Sequence, residues 1–307
     1  MKNNNFHIHV EITYDCNNRC FYCYNEEHKP IHMTLEQSNI FANKLEQYIY
    51  SRNFSVSISL TGGEPFKNFD VLTNLYYKIT RFPSCNVSIN TNLTCEIKKL
   101  KDLENLKKET ETEIELFVSI PSMIKEIYND ITCSKNYDLF FESLQYVLSK
   151  PDIYNISSNI VINKKNKNTI LKSLMQMNLL GLKNFKIANL ISEKVDNELL
   201  DIIFNIIKYS KKFGMDFRGM SMPLIVDNKE KRSLLYQQYI KEYNFNTCSA
   251  GDTSFAITPD GYLKPCPSLS NDIKYFNIFN SNEFIPDILR NNRYSLACTK
   301  CELCNHI

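Results

Sequence analysis

Phe6-His7-Ile8-His9-Val10-Glu11-Ile12-Thr13, followed after two residues by Cys16-Asn17-Asn18-Arg19-Cys20-Phe21-Tyr22-Cys23, is the stretch from which the rest of the chain can be read. Apolar and polar residues alternate through 6–13, the period of a strand whose two faces meet different surroundings. The loop that follows spaces its cysteines C-x3-C-x2-C. Three thiolates on one short loop can ligate three irons of a cubane cluster and leave the fourth iron without a protein ligand.

Working outward, β-branched and aromatic runs predict further strands over 54–61, 85–91, 113–120, 156–163 and 185–190. Helical patterns fall between them, over 34–50, 70–81, 95–108, 137–149 and 166–180, the first opening on a Thr34 and Gln37 capping box. Alternation of this length implies parallel strands with right-handed crossovers, hence an α/β fold of partial (β/α)6 barrel type. Strands covered on both faces are almost continuously apolar, yet here Ser55, Ser57 and Ser59 alternate with Val56, Ile58 and Leu60, and Asn86, Ser88 and Asn90 with Cys85, Val87 and Ile89. If the apolar sides meet the helices, the polar sides surround a hydrated cavity. An exposed face of an antiparallel sheet would alternate in the same way, but the intervening helices argue against it.

Sites in such barrels gather at the carboxyl ends of the strands. After the second strand stands Thr61-Gly62-Gly63-Glu64-Pro65, where paired glycines permit close backbone approach and Glu64 can accept from an ammonium group. Asn90-Thr91-Asn92 follows the third strand and Ser119 ends the fourth. His7, His9 and Glu11 read as hydrogen-bonding cavity groups rather than catalysts.

The 307 residues carry a net charge of +2, too little for a general electrostatic hold on nucleic acid or anionic membrane. No apolar run reaches the length of a membrane span and residues 1–10 lack a signal-peptide core, so the reading is cytoplasmic. Eleven cysteines without an export signal point to metal ligation rather than disulfides. Beyond about residue 190 the alternation thins, with helices expected over 196–212 and 228–243 and a hairpin at Pro259-Asp260-Gly261. Cys248, Cys266 and Cys298-x2-Cys301-x2-Cys304 punctuate this part. The reading divides the chain into 1–213, the barrel, and 214–307, a bridging segment and small cysteine-rich domain.

The C-x3-C-x2-C loop, Tyr22 before its third cysteine and the GGEP run after the next strand resemble the radical S-adenosylmethionine (radical SAM) superfamily over about residues 6–190. The resemblance implies that Cys16, Cys20 and Cys23 ligate a [4Fe-4S] cluster whose open iron binds SAM. Gly62, Gly63, Glu64 and Pro65 would position the methionine end, with Glu64 on its amino group. Tyr22 would lie near adenine, and Asn90, Asn92 and Ser119 are further SAM contacts. One departure is that relatives with peptide substrates read Ser-Leu-Asp-Gly where this chain has Ser119-Ile120-Pro121-Ser122, so the aspartate is missing. The C-terminal cysteines and hairpin resemble a SPASM or twitch extension, implying one auxiliary [4Fe-4S] cluster on Cys248, Cys266 and two of Cys298, Cys301 and Cys304. A four-cysteine zinc site has compatible spacing.

Cys85 reads as core. Cys95 and Cys133 read as core too, although either would be a hydrogen donor to a substrate radical if it lined the cavity. The resemblance implies reductive cleavage of SAM to a 5′-deoxyadenosyl radical that abstracts hydrogen from a peptide, giving a crosslink, epimerisation or oxidation, with flavodoxin or ferredoxin as electron donor. Small-molecule dehydrogenation is the alternative, and a non-catalytic iron-sulfur or zinc redox protein the rival of another class.

Overall fold

The computed structural model describes residues 5–25, 28–52, 55–190, 196–220, 249–251, 253–269 and 276–284. The first half follows the expected alternation. β1 (Asn5–Thr13) leads through the cysteine loop to α1 (Leu35–Arg52), and β2 (Ser55–Gly62) through a short 3-10 turn to α2 (Phe69–Ile79). The α1 cap has the expected reciprocal form: Gln37 N–H donates to Thr34 Oγ1 at 3.1 Å and Thr34 N–H to Gln37 Oε1 at 2.9 Å. β3 (Cys85–Thr91), α3 (Ile97–Thr110) and β4 (Ile114–Ser119) continue the series.

Two helices, α4 (Lys125–Thr132) and α5 (Tyr137–Leu148), separate β4 from β5 (Tyr154–Ile162). Sequence reading misses α4, because eight residues are too few for a clear helical period and Asn, Asp and Thr weaken the propensity. α6 (Ile170–Leu179), β6 (Asn184–Asn189) and α7 (Asn197–Phe213) follow, then β7 (Asp216–Met220). α7 starts on Asp196, whose carboxylate accepts from Leu199 N–H, and ends on Gly214 in the left-handed region.

Among the described residues the sheet runs β7-β6-β5-β4-β3-β2-β1-β8-β9, with β8 (Ser254–Ile257) and β9 (Leu263–Lys264) forming the expected hairpin. All pairs are parallel except β8 with β9. At both edges the sheet extends beyond the six strands expected. β7 joins the sheet beyond β6, and β8 pairs in parallel with β1, His7 facing Ser254 and Val10 facing Ile257. β7 carries Asp216 and Gly219 in five residues, which erases its strand signal, and pairing between β1 and β8 spans too much chain for any local pattern to announce.

Phe6, Ile8, Val10 and Ile12 are fully buried and pack with Val56, Ile58, Leu60 and Ile89 in one continuous core beneath the helices. The opposite faces line a curved interior. His7 on β1 feels the charge of Lys186 on β6, although five strands of a flat sheet would hold them about 24 Å apart. Glu11, on that inner face, is buried against Lys264 of β9 with 3.3 Å between carboxylate and ammonium, and Lys264 also donates to the carbonyls of Pro267 and Leu269. No described helix is long and apolar enough to cross a membrane. The helix expected over 228–243, together with Cys248, Cys298, Cys301 and Cys304, lies outside the described residues.

Candidate functional site

The cysteine loop is clamped from two sides by amide groups. Asn92 Nδ2, after β3, donates to Asn17 Oδ1 at 2.9 Å, and Asn17 Nδ2 donates to Thr94 O at 2.7 Å. Asn136, after α4, donates to Asn17 O and Asn18 Oδ1 at 2.9 and 2.8 Å, while Arg19 and Phe21 N–H groups donate to Thr132 O and Ile131 O at the end of α4. α4 thus forms one wall of the loop. Sequence reading missed Asn17, Asn18, Asn136 and α4 in this role, because asparagine is so common in this chain that none of these positions stands out.

Cys16, Cys20 and Cys23 are half-buried and lie outside any disulfide. Burial, then the Glu64 charge, pushes the Cys16 thiol up to about 12, against the opposing N–H of Asn18; burial, Cys23 and Cys16 push Cys20 up to about 12 as well. Crowded thiols in such surroundings ionise only beside a positive partner, which is the condition iron supplies. Cys16 Sγ already accepts from Asn18 N–H at 3.4 Å and Asn92 Nδ2 at 3.6 Å. Among the described residues no three His, Cys, Asp or Glu side chains converge as a ready metal site. The thiols share one loop, and their chemistry suits an iron-sulfur cluster.

The GGEP glycines permit close approach, but to the chain itself. A Cβ on Gly62 would stand 2.2 Å from Thr13 O, and one on Gly63 2.2 Å from Asp15 O. Gly63 and Glu64 N–H groups donate to those two carbonyls at 2.7 and 2.8 Å, fastening the loop after β2 to the start of the cysteine loop. Gly62 also has φ +133°, which a side chain would strain. Pro65 is buried at the start of the 3-10 turn Pro65–Asn68.

Glu64 sits deep in this frame. It is 1% exposed, and its oxygens accept from Thr91 Oγ1 at 2.6 Å, Asn92 N–H at 2.7 Å and Phe66 N–H at 3.3 Å. The carboxylate thereby links the loops after β2 and β3. Burial raises its carboxyl to about 7 despite these donors. The Asn92 amide is engaged with Asn17, Cys16 and Thr94.

Asn90 differs: its Oδ1 is buried without a partner in the described structure. Ser119 is exposed at the end of the neighbouring strand. Pro121 stands in place of the missing aspartate, and Ser122 after it is fully buried, its hydroxyl accepting from Ile124 N–H. Tyr22 is half-buried, its ring edge-on to Phe21. Cys95 is buried in the core, whereas Cys133 is exposed in a left-handed residue capping α4, close enough to Cys20 to disfavour its thiolate. Cys266 follows β9, and the Tyr24 hydroxyl is raised well above its ordinary value by burial first, then by the charges of Glu11, Cys23 and Cys266.

The family model described as the radical SAM superfamily matches residues 10–173, more than half of the chain. The chain belongs to the radical SAM superfamily. This radical SAM protein is accordingly an enzyme, and the family implies a [4Fe-4S] cluster and SAM. An uncharacterised protein of Methanocaldococcus jannaschii is 25% identical over 285 residues, covering 90% of each chain. A probable GTP 3′,8-cyclase of Saccharolobus islandicus is 24% identical over 267 residues, 84% of this chain and 82% of that one. The fold is shared with Streptococcus suis SuiB bound to precursor peptide SuiA (TM-score 0.71, 16% identity, 98% of this chain and 70% of that one). It is shared also with anSMEcpe with bound AdoMet and Cp18Cys peptide (TM-score 0.67, 16% identity, 98% and 90%).

Proposed function

We propose that this radical SAM enzyme takes hydrogen from a peptide substrate, leading to a crosslink, an epimerised centre or an oxidised side chain. The observation that carries the reaction is the connected frame running from buried Glu64 through Asn92 to Cys16, which holds the GGEP loop and the cysteine loop as one body. Bound together, the reduced cluster and SAM supply a 5′-deoxyadenosyl radical as the hydrogen acceptor. Cys16, Cys20 and Cys23 would hold the cluster. The Gly62–Pro65 backbone, Asn90 Oδ1, Ser119 and Tyr22 would hold and orient SAM, with Glu64 and Asn92 fixing the loops that carry these contacts.

A peptide is favoured because solved structures sharing the fold along 98% of this chain contain peptides. A nucleotide is the second reading, supported by the probable GTP 3′,8-cyclase relative. We further assign 1–213 to the six-stranded barrel by sequence pattern, with 214–307 adding β7, β8 and β9 to its sheet and carrying an auxiliary cluster on Cys248, Cys266 and two of Cys298, Cys301 and Cys304. A flavodoxin or ferredoxin in the cytoplasm would supply the electron.

Anaerobic reconstitution with reductant and SAM tests this reading. About eight irons per chain and release of 5′-deoxyadenosine are expected for two cubanes, and intact SAM would overturn the reaction. Replacing Cys16, Cys20 and Cys23 together is expected to stop cleavage while leaving the auxiliary iron. Product masses after incubation with a peptide encoded beside the gene, or with GTP, decide between the substrates.

A further inference from the structure

The inner faces of β4 to β7 hold two cations that the SAM site does not use. Lys186 on β6 reaches across β5 to place its ammonium 5.2 Å from the centre of the Phe117 ring on β4. Arg218 on β7 leans the same way across β6, donating through Nη1 to Ser157 Oγ at 3.1 Å, with Ser157 itself buried on β5. Its Nε is paired with Asp216 at 2.9 Å, a carboxylate 58% exposed at the start of β7. Among the described residues Lys186 forms no ion pair.

The surrounding groups leave this positive charge standing. Burial keeps His7 neutral, its imidazole lowered to about 4, and His9 beside it is lowered to about 3. Glu115 is the nearby inner-face carboxyl, and burial raises it toward its neutral form, with Arg218 and Lys186 opposing. Burial and the like charge of Arg218 press on the Lys186 ammonium in turn. A half-buried ammonium beside a guanidinium, over an aromatic ring and above a buried hydroxyl, is a receptor for oxygen anions: the fork donates in a plane, the ammonium adds charge, and the ring supplies an apolar floor. Both cations belong to rigid strands, which suits a site that must hold a reacting carbon in place.

We propose that Lys186 and Arg218 bind an anionic oxygen group of the substrate, positioning it inside the barrel away from the cysteine loop. The inference rests on the hydrogen-abstraction reading and narrows its substrate to one bearing a carboxylate or phosphate. For a peptide this is an acidic side chain or terminal carboxylate; for a nucleotide it is the phosphate chain.

The test titrates the reconstituted enzyme with two pairs of probes by saturation-transfer NMR: acetyl-Ala-Glu-Ala-amide against acetyl-Ala-Gln-Ala-amide, and GTP against guanosine. At least tenfold tighter binding of the charged member is expected in one pair, and that pair names the source of the anion. Equal binding within both pairs would overturn the site without any variant being made. In Lys186→Met/Arg218→Met, checked for native iron content and circular dichroism, the preference should vanish; a preference that survives places the anion elsewhere and also overturns the proposal. Release of 5′-deoxyadenosine by the native enzyme is measured separately, so failure of the reaction and failure of the anion site are told apart.

Discussion

The carboxylate of Glu64 and the backbone N–H of Asn92 lie 2.7 Å apart, joining the loops that follow two neighbouring strands through a buried charge. Because burial raises this carboxyl from 4.5 to about 7, the unfolded chain releases the proton first as pH rises. The stability Glu64 contributes is full below about pH 4.5 and is lost as pH climbs through about 7. Relative to the metal-free native protein, Glu64→Gln should gain about 3 kcal/mol between those limits, read from urea midpoints across pH. A pH-independent difference would contradict the buried, titrating carboxyl.

Asn92 touches both the frame and Cys16, a proposed cluster ligand. Asn92→Ala removes the amide donors to Cys16 and Asn17. Loss of one hydrogen bond to a charged sulfur predicts about tenfold faster release of iron to a chelator, and a more negative reduction potential in an EPR-monitored titration. Unchanged potential and unchanged iron release would show that the contact does not persist in the loaded enzyme.

The two GGEP glycines are required by the chain around them. Gly62→Ala should destabilise by about 3 kcal/mol, through a clash with Thr13 O and strain at positive φ. Gly181→Ala, where an added Cβ meets nothing within 4 Å, should cost less. Denaturant midpoints of the two variants check the order.

Lys264→Met strands the buried carboxylate of Glu11 and should cost about 3–5 kcal/mol. Glu11→Leu in the same chain should restore much of that loss, because replacing both partners leaves no unpaired charge. A double-mutant cycle on urea midpoints measures the coupling.

Thiol reactivity separates two cysteines that look alike in the sequence. Exposed Cys133 should be alkylated in the folded metal-free protein, whereas buried Cys95 should react only on unfolding; peptide mass spectrometry reads both. Modification of Cys95 in the folded state would contradict its place in the core.

The alternation of Ser55, Ser57 and Ser59 with Val56, Ile58 and Leu60 carried enough periodicity to reveal a strand with a core face and an inner face, and C-x3-C-x2-C together with Tyr22 and GGEP pointed to the family. What escaped notice was relational. Nothing near Asn136 in the chain indicates that its amide will meet Asn17 and Asn18, and nothing near Ser254 announces a partner on β1. Glu64 was legible as a site residue, but the donors that converge on it from Thr91, Asn92 and Phe66 were not, because burial and contact are not written in local sequence.

β8 lying in parallel on β1 ties assembly to synthesis. The strand that feeds the cysteine loop emerges first, yet its outer edge finds a partner only after residue 257 has left the ribosome. At roughly 5–20 residues per second this leaves an unpaired edge for tens of seconds, roughly, and open strand edges invite pairing with other chains. His7, His9 and Glu11, the polar residues of β1, thereby acquire a second use: they make the nascent ribbon less prone to stick while its neighbour is still being made.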